Sequence, residues 1–295
     1  MKNKIKTIVV AVLISNNILF AQTVSNDNLI TRPVQITFIS PMGTNGIESG
    51  KVINNFSLNM FAGVSGGLNG AEIGGFSNVI KNDAIGFQVA GFSNTVLGET
   101  NAVQIAGFVN VSKNKTRGAQ LAGFSNVVVA DFTGAQISGF SNTVKQNSEG
   151  VQIAGFSNVS TDELEGVQIS GFANTVKGNS KGVQVAGFSN VSTGNLEGAQ
   201  ISGFVNKADN VVGTQIGFIN VCENIEKGAS IGFLSIVKNG YHAFEIGVTE
   251  SSFTHANLKT GSDHFYNIFS IGVKPDSEEW IWGVGYGVGT IFSIN

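Results

Sequence analysis

Histidine is the side chain best suited to proton transfer and metal binding near neutral pH, and this chain has three. His255 and His264 are nine residues apart with Asp263 beside the second, and His242 lies upstream. A catalytic zinc would need about three protein ligands brought together, and a Ser-His-Asp site would need a defined nucleophile. The spacing gives neither, and no nucleophile-elbow sequence stands out. We therefore expect these histidines in solvated loops, with no catalytic residue and no metal site.

Three other groups could carry chemistry, and each has a simpler interpretation. Asp162, Glu163 and Glu165 share one turn that could bind calcium, but the matching turn two repeats later has one glutamate, which favours a solvated loop. Residues 63–67 (GVSGG) lack the Lys-Ser/Thr of a phosphate-binding loop. Cys222 is the only cysteine, so we expect a buried structural thiol without a disulfide or a cysteine metal cluster. We predict no cofactor.

Composition narrows the class of protein further. The chain has 295 residues, a net charge of −3 and only 13% charged residues, without a basic run, which argues against a nucleic-acid partner. It contains 39 glycines and 22 phenylalanines. Low charge with abundant glycine and β-branched residues predicts an all-β protein with little water-facing area.

The middle of the chain is one sixteen-residue unit copied end to end. Residues 150–197 read GVQIAGFSNVSTDELE, GVQISGFANTVKGNSK and GVQVAGFSNVSTGNLE. Glutamine recurs every sixteen residues from Gln88 to Gln200, with asparagine six places later and phenylalanine four places later. A fixed period indicates one supersecondary unit stacked on its neighbours. Nine or ten residues of each unit alternate as a strand, and the rest have turn composition.

Two architectures fit this unit. The turns alternate between two kinds, which makes the true period thirty-two and favours an antiparallel meander of hairpins. Sixteen candidate strands of this length suit an outer-membrane-type β-barrel, our main prediction, in which Val151 and Ile153 face lipid. The alternative is a β-solenoid of sixteen-residue coils with β-strand flanks. It would bend at Ala154-Gly155, so that Ile153 and Phe156 enter the core and phenylalanine and asparagine form ladders.

Composition also divides the chain into four parts. Residues 1–21 form a predicted signal peptide, and residues 22–70 hold N-terminal strands. The β repeats occupy residues 71–228, and C-terminal β-strands occupy residues 229–295.

The sequence features at the two ends of the chain indicate the cellular location of the protein. Three lysines, a short apolar run and Ala21 before Gln22 match a cleaved secretory signal. Large apolar residues alternate with glycine in the segment that begins at Trp280, as in a strand that faces a bilayer. We expect export to the outer membrane or cell surface, with outer-membrane lipid as a partner.

The units GVQIAGFSNV and GAQISGFSNT resemble a bacterial family of surface-repeat proteins, found in Gram-negative bacteria, with runs of G-x-Q-x-A-G-L-x-N after a signal peptide. Phenylalanine here replaces the usual leucine. The segments FISPMGTNGIESGKVINNFSLNMFAGVSGG and IGFLSIVKNG are also similar to that family, so the resemblance covers roughly Pro33 to Val288. It implies an outer-membrane or surface location and no activity.

Together these features predict a non-enzymatic outer-membrane or cell-surface structural protein that serves as a pore or scaffold. The alternative is a surface adhesion or ligand-display β-solenoid, whose flat face would include an outward row of glutamines. The sequence names no surface ligand.

Overall fold

The computed structural model describes residues 29–250, 254–276 and 279–291. The predicted signal peptide, residues 1–21, lies outside them. The described chain is all-β apart from one short 3-10 helix: 25 strands form a solenoid, and four antiparallel strands follow. Within the described residues, no helix has the length and apolar character that crossing a membrane requires.

Each coil of the solenoid contains one long and one short strand. In a central coil, the seven-residue strand Ser148–Ala154 is followed by a bend at Gly155 and Phe156. The four-residue strand Ser157–Ser160 comes next, and three turn residues lead to the next long strand, Leu164–Ser170. Sixteen residues thus return the chain to the same corner, one coil further along the stack.

Eleven coils carry such a pair of strands. The long strands are β4 (Gly67–Gly74), β6 (Ala84–Ala90), β8 (Thr100–Ala106), β10 (Thr116–Ala122), β12 (Phe132–Ser138), β14 (Ser148–Ala154), β16 (Leu164–Ser170), β18 (Ser180–Ala186), β20 (Leu196–Ser202), β22 (Asn210–Ile216) and β24 (Asn224–Ile231). The short strands are β5 (Ser77–Ile80), β7 (Ser93–Val96), β9 (Val109–Ser112), β11 (Ser125–Val128), β13 (Ser141–Val144), β15 (Ser157–Ser160), β17 (Ala173–Val176), β19 (Ser189–Ser192), β21 (Val205–Lys207), β23 (Ile219–Cys222) and β25 (Leu234–Val237).

The N-terminal flank forms the first layers of the same stack. It comprises β1 (Ile30–Ile39), β2 (Met42–Gly43), the 3-10 helix Gly46–Lys51 and β3 (Val52–Ser65). Strand β1 is parallel to β3, and β3 pairs with β4 through its first half and with β5 through its second half. The continuous coils therefore begin at β3 and end with β25, outside residues 71–228 on both sides.

Four antiparallel strands form a C-terminal sheet: β26 (Tyr241–Gly247), β27 (Thr254–Ser262), β28 (Phe265–Pro275) and β29 (Trp280–Gly289). The Asn267 amide donates to the Gly232 carbonyl at 2.8 Å and accepts from the Ser235 backbone N–H at 2.7 Å. The Thr260 hydroxyl donates to the Ser235 carbonyl at 3.2 Å. The C-terminal sheet is therefore attached to the last coil of the solenoid.

The antiparallel meander and outer-membrane-type β-barrel predicted for the repeats are wrong, and the architecture is the alternative, a β-solenoid. Each strand of the repeats is parallel and in register with the strand one repeat later, so that Gln152 lies beside Gln168. The bend at Gly155 ends the long strand after seven residues, and the short strand has only four. A barrel wall that crosses a bilayer would need strands of about 9–11 residues.

The alternating turns, which had favoured hairpins, have a packing cause in the solenoid. One interior position beside the turn holds Val144 in one coil and Ser160 in the next. The first residue of the following long strand compensates for this difference in side-chain volume. Small Ser148 follows large Val144, and large Leu164 follows small Ser160. Each of these coils therefore fills its corner with one large and one small buried side chain, supplied by alternate strands.

Close approach between coils requires glycine at the third position of most long strands. Gly150 has a φ of 120°, and a Cβ atom there would overlap the backbone oxygen of Gly134 in the preceding coil. The glycine that recurs two residues before every glutamine of the column except Gln104 follows from this contact.

Candidate functional site

The three histidines are all on the C-terminal sheet but do not converge. His264 lies exposed in the turn after β27, as expected, whereas His242 and His255 lie on strands rather than in loops. The His242 ring Nε2 donates to the Val237 carbonyl at 2.8 Å. Most of β27 separates His255 from His264, roughly 20 Å of extended chain. Across the described ranges, no three His, Cys, Asp or Glu side chains are grouped so that they could hold a metal ion.

Cys222 is buried, which confirms the predicted structural thiol. It packs in an apolar cluster with Leu196, Val211 and Val237. Burial raises the pKa of its thiol to about 11, so this group stays protonated and unreactive at neutral pH.

The acidic turn lies on the solvated edge of the solenoid. Asp162 and Glu163 are exposed, and the Glu163 carboxylate accepts from the Asn179 side chain at 3.0 Å. Glu165 pairs with Lys181 in the next coil at 3.1 Å. These contacts join neighbouring coils, as expected of a solvated turn.

The interior of the solenoid holds a column of glutamine side chains, one per coil. Gln152 Nε2 donates to Gln136 Oε1 at 2.8 Å, and Gln168 Nε2 donates to Gln152 Oε1 at 2.7 Å. All these side chains are fully buried. Each amide directs its NH₂ group toward the preceding coil. The members of this Gln column are Gln88, Gln104, Gln120, Gln136, Gln152, Gln168, Gln184, Gln200 and Gln215.

A second interior column consists of asparagines and runs in the opposite direction. Asn158 Nδ2 donates to Asn174 Oδ1 in the following coil at 3.0 Å and to the Ile169 carbonyl at 2.8 Å. The amide dipoles of the two columns therefore oppose one another. The members of this Asn column are Asn59, Asn78, Asn94, Asn110, Asn126, Asn142, Asn158, Asn174, Asn190, Asn206 and Asn220.

Glu72 occupies the first position of the glutamine row, and donors reach it from two sides. Gln88 Nε2 donates to Oε2 at 2.9 Å, while Asn59 Nδ2 and Ser65 Oγ donate to Oε1 at 3.0 and 3.3 Å. A carboxylate accepts on both oxygens, whereas an amide would set its own NH₂ against a donor. Burial raises the pKa of Glu72 to about 7, and the hydrogen bonds partly offset this shift.

The exterior carries three adjacent columns without any charged side chain, which we call the apolar stripe. The Phe156 ring is 42% exposed and stacks on Phe140 and Phe172 with centroid distances of 5.0 and 4.9 Å. The aromatic column is Phe61, Phe76, Phe92, Phe108, Phe124, Phe140, Phe156, Phe172, Phe188, Phe204, Phe218 and Phe233. The glycine column is Gly75, Gly91, Gly107, Gly123, Gly139, Gly155, Gly171, Gly187, Gly203, Gly217 and Gly232. The aliphatic column is Ile73, Val89, Ile105, Leu121, Ile137, Ile153, Ile169, Val185, Ile201, Ile216 and Ile231.

Two side-chain orientations expected for a solenoid are therefore wrong. Ile153 and Phe156 were expected in the core, but both are about two-fifths exposed. The glutamines were expected on an outward face, but Gln152 is fully buried. The bend comes one residue later than predicted, at Gly155 and Phe156, and this places the ring at an outer corner.

The C-terminal sheet has one apolar and one polar face. Trp282 and Val284 are 68% and 89% exposed on the apolar face, and Ile271 lies beside Val284 on the adjacent strand. On the opposite face, the Lys259 ammonium pairs with Glu245 at 2.6 Å.

The apolar face of this sheet continues the aromatic column of the stripe. Phe233, in the last coil, stacks on Tyr286 with a centroid distance of 5.0 Å and meets Phe269 edge-on at 5.6 Å.

No protein-family profile, curated protein or solved structure matches the chain. The resemblance to bacterial surface-repeat proteins therefore stays a prediction from the repeat residues.

Sequence reasoning missed that the amides fill the interior and that Glu72 ends their row. The signal was in the repeats themselves. Every copy keeps a neutral amide at the glutamine and asparagine positions from Gln88 to Asn206, while turn residues vary in charge. A single acid in such a row, Glu72, marks the place where the hydrogen-bond pattern changes.

Proposed function

We propose that this chain is a non-enzymatic structural protein, exported to the outer membrane or cell surface, whose rigid β-solenoid displays a regular array of side chains to a binding partner. The observation that carries the proposal is the apolar stripe. Phe156 and its equivalents form one continuous stacked row of twelve rings, nine of which are about two-fifths exposed. Exposed apolar patches larger than a few hundred Å² mark interaction sites in soluble proteins.

The interior supports a structural rather than a catalytic role. The Gln column and Asn column use nearly all their polar atoms to bind one another, so they offer few groups to a substrate. Glu72 is enclosed by donors on both oxygens. Stacked, in-register amides stabilise a fold but perform no chemistry.

Outer-membrane lipid is the second candidate partner, favoured by the C-terminal sheet. Trp280, Trp282 and Val284 are exposed on its apolar face, and tryptophan is enriched where proteins meet the membrane interface. Flotation with phospholipid vesicles would test this contact. Trp282→Ser with Val284→Ser should reduce flotation, and equal flotation of both proteins would refute lipid contact through this face.

The location is tested in the native host by cell fractionation and N-terminal sequencing. We expect the protein at the outer membrane or cell surface, with Gln22 as its first residue. A cytoplasmic protein that retains Met1 would refute the proposed function.

A further inference from the structure

The apolar stripe is larger and more regular than a solvent-facing surface usually is. A phenylalanine side chain presents about 150–250 Å², so a ring that is two-fifths exposed leaves roughly 60–100 Å² uncovered. Nine of the twelve stacked rings are 39–48% exposed. These nine contribute on the order of 500–900 Å² before the aliphatic column is counted. The largest apolar patch on a typical monomer is about 300–600 Å².

This area matches what a stable protein interface requires. A standard complex buries about 800 Å² on each partner, and obligate homodimers bury more and are more apolar. The aliphatic column adds to the area, since Ile153, Ile169 and Ile201 are 37–40% exposed. The stripe carries no charge, so two stripes could meet without desolvating an ion or opposing like charges.

The spacing of the rings indicates which kind of partner can bind along the apolar stripe. Successive centroids in the central coils are 4.8–5.0 Å apart, with interplanar angles of 1–4°. A bound helix advances about 5.4 Å per turn, so its side chains would lose step with the rings within a few turns. A fluid lipid phase has no repeat along the surface. A second copy of this chain has the same spacing over the whole stack.

The relief of the stripe also suits a second copy. Gly155 and its equivalents have no side chain and separate the aromatic column from the aliphatic column. A shallow groove therefore runs between two ridges, and the ridge of one copy can enter the groove of another. The same surface on both partners gives a closed, isologous pair rather than an open fibre.

We propose that two copies of this chain pair through their apolar stripes, each copy covering the phenylalanine, glycine and isoleucine columns of the other. The inference rests on the proposed function and names the partner of its side-chain array. The dimer, rather than the single solenoid, is then the structural unit at the cell surface.

Sedimentation equilibrium of the full-length protein, purified from its host and studied without lipid, tests this pairing. We expect a dimer at micromolar concentration. Phe140→Ser with Phe172→Ser should raise the dissociation constant of the dimer by roughly a hundredfold or more, because rings at the centre of an interface contribute most to binding. Ile153→Thr with Ile169→Thr, which keeps β-branched residues on the strands, should also weaken it and serves if the first variant does not fold.

The matched control is Ile47→Ser, which removes a 92% exposed apolar side chain from the 3-10 helix of the N-terminal flank. We expect this variant to dimerise like the wild type. A monomeric wild type, or equal weakening by control and stripe variants, would overturn the proposal. So would a monomer that floats with phosphatidylethanolamine and phosphatidylglycerol vesicles only while its stripe is intact. A monomer found at the cell surface would refute the pairing alone and leave the proposed location intact.

Discussion

At the scale of single residues, Glu72 is a buried group whose charge state changes near neutral pH. Burial raises the pKa of its carboxyl to about 7 in the folded protein, while an unfolded chain releases this proton near pH 4.3. Between these values the folded state holds a proton that the unfolded state has lost. Stability from this group is therefore fully present below about pH 4.3 and is lost as the pH rises through 7.

We predict that Glu72→Gln flattens the dependence of stability on pH between 5 and 8. The wild type should lose roughly 3–4 kcal/mol over the full titration, at 1.36 kcal/mol per pKa unit. The variant should lack this decline, whatever its absolute stability. Denaturant midpoints at several pH values measure the effect. Glu149→Gln makes the same charge change on the exposed face and should keep the wild-type decline; an equally steep decline in Glu72→Gln would refute the assignment.

Asn158 tests the interior amides directly. We predict that Asn158→Ala destabilises the protein by roughly 2–4 kcal/mol, because it breaks two column bonds and leaves buried partners unsatisfied. Ser170→Ala is the matched control, since the buried Ser170 hydroxyl has no hydrogen-bond partner. This change should be neutral or slightly stabilising. Urea unfolding of both variants measures the difference in stability. Similar midpoints would show that the Asn column contributes little to the stability of the fold.

At the scale of the coil, the bend depends on close contact between backbones. A Cβ atom on Gly155 would overlap the backbone oxygen of Gly139 in the preceding coil. We predict that Gly155→Ala costs about 1–3 kcal/mol, as overpacking usually does. Gly283 in the C-terminal sheet has open space at the same position, so Gly283→Ala should change the thermal midpoint little. Equal midpoints for Gly155→Ala and the wild type would contradict the stacking geometry.

The sequence predicts the repeating unit of the coil well, but it does not predict correctly which face of each strand is buried. The sixteen-residue period, the strand within each repeat and the ladders of Phe156 and Asn158 are visible in the residue pattern. Alternation separates the side chains of Gln152 and Ile153 onto two faces, but it does not say which face is inside. The usual expectation that apolar residues lie inside therefore misplaced Ile153 and Phe156.

Over the whole molecule, the interior can hold two polar columns beside its apolar clusters because stacking is in register. A buried amide is costly unless it is hydrogen-bonded. One repeat alone offers no hydrogen-bond partner for the Gln152 side chain. When identical repeats stack in register, the amide of each glutamine binds that of the glutamine in the adjacent coil. That compensation arises only between residues sixteen apart, so local propensity cannot reveal it. The buried site around Glu72 depends on it as well, since its donors come from the coils on either side, Asn59 and Ser65 from β3 and Gln88 from β6.

The most direct test of the buried amide columns is hydrogen exchange of side-chain amides, followed by NMR on protein labelled at asparagine and glutamine. Amides of the Gln column and Asn column, such as those of Gln152 and Asn158, are fully buried and should exchange far more slowly than exposed ones. Gln146, Asn147 and Asn179 lie on exposed turns of the same solenoid and supply the fast reference within one spectrum. Slow exchange of the column amides alone is the predicted result, and exchange of Gln152 and Asn158 as fast as that of Gln146 would contradict the account.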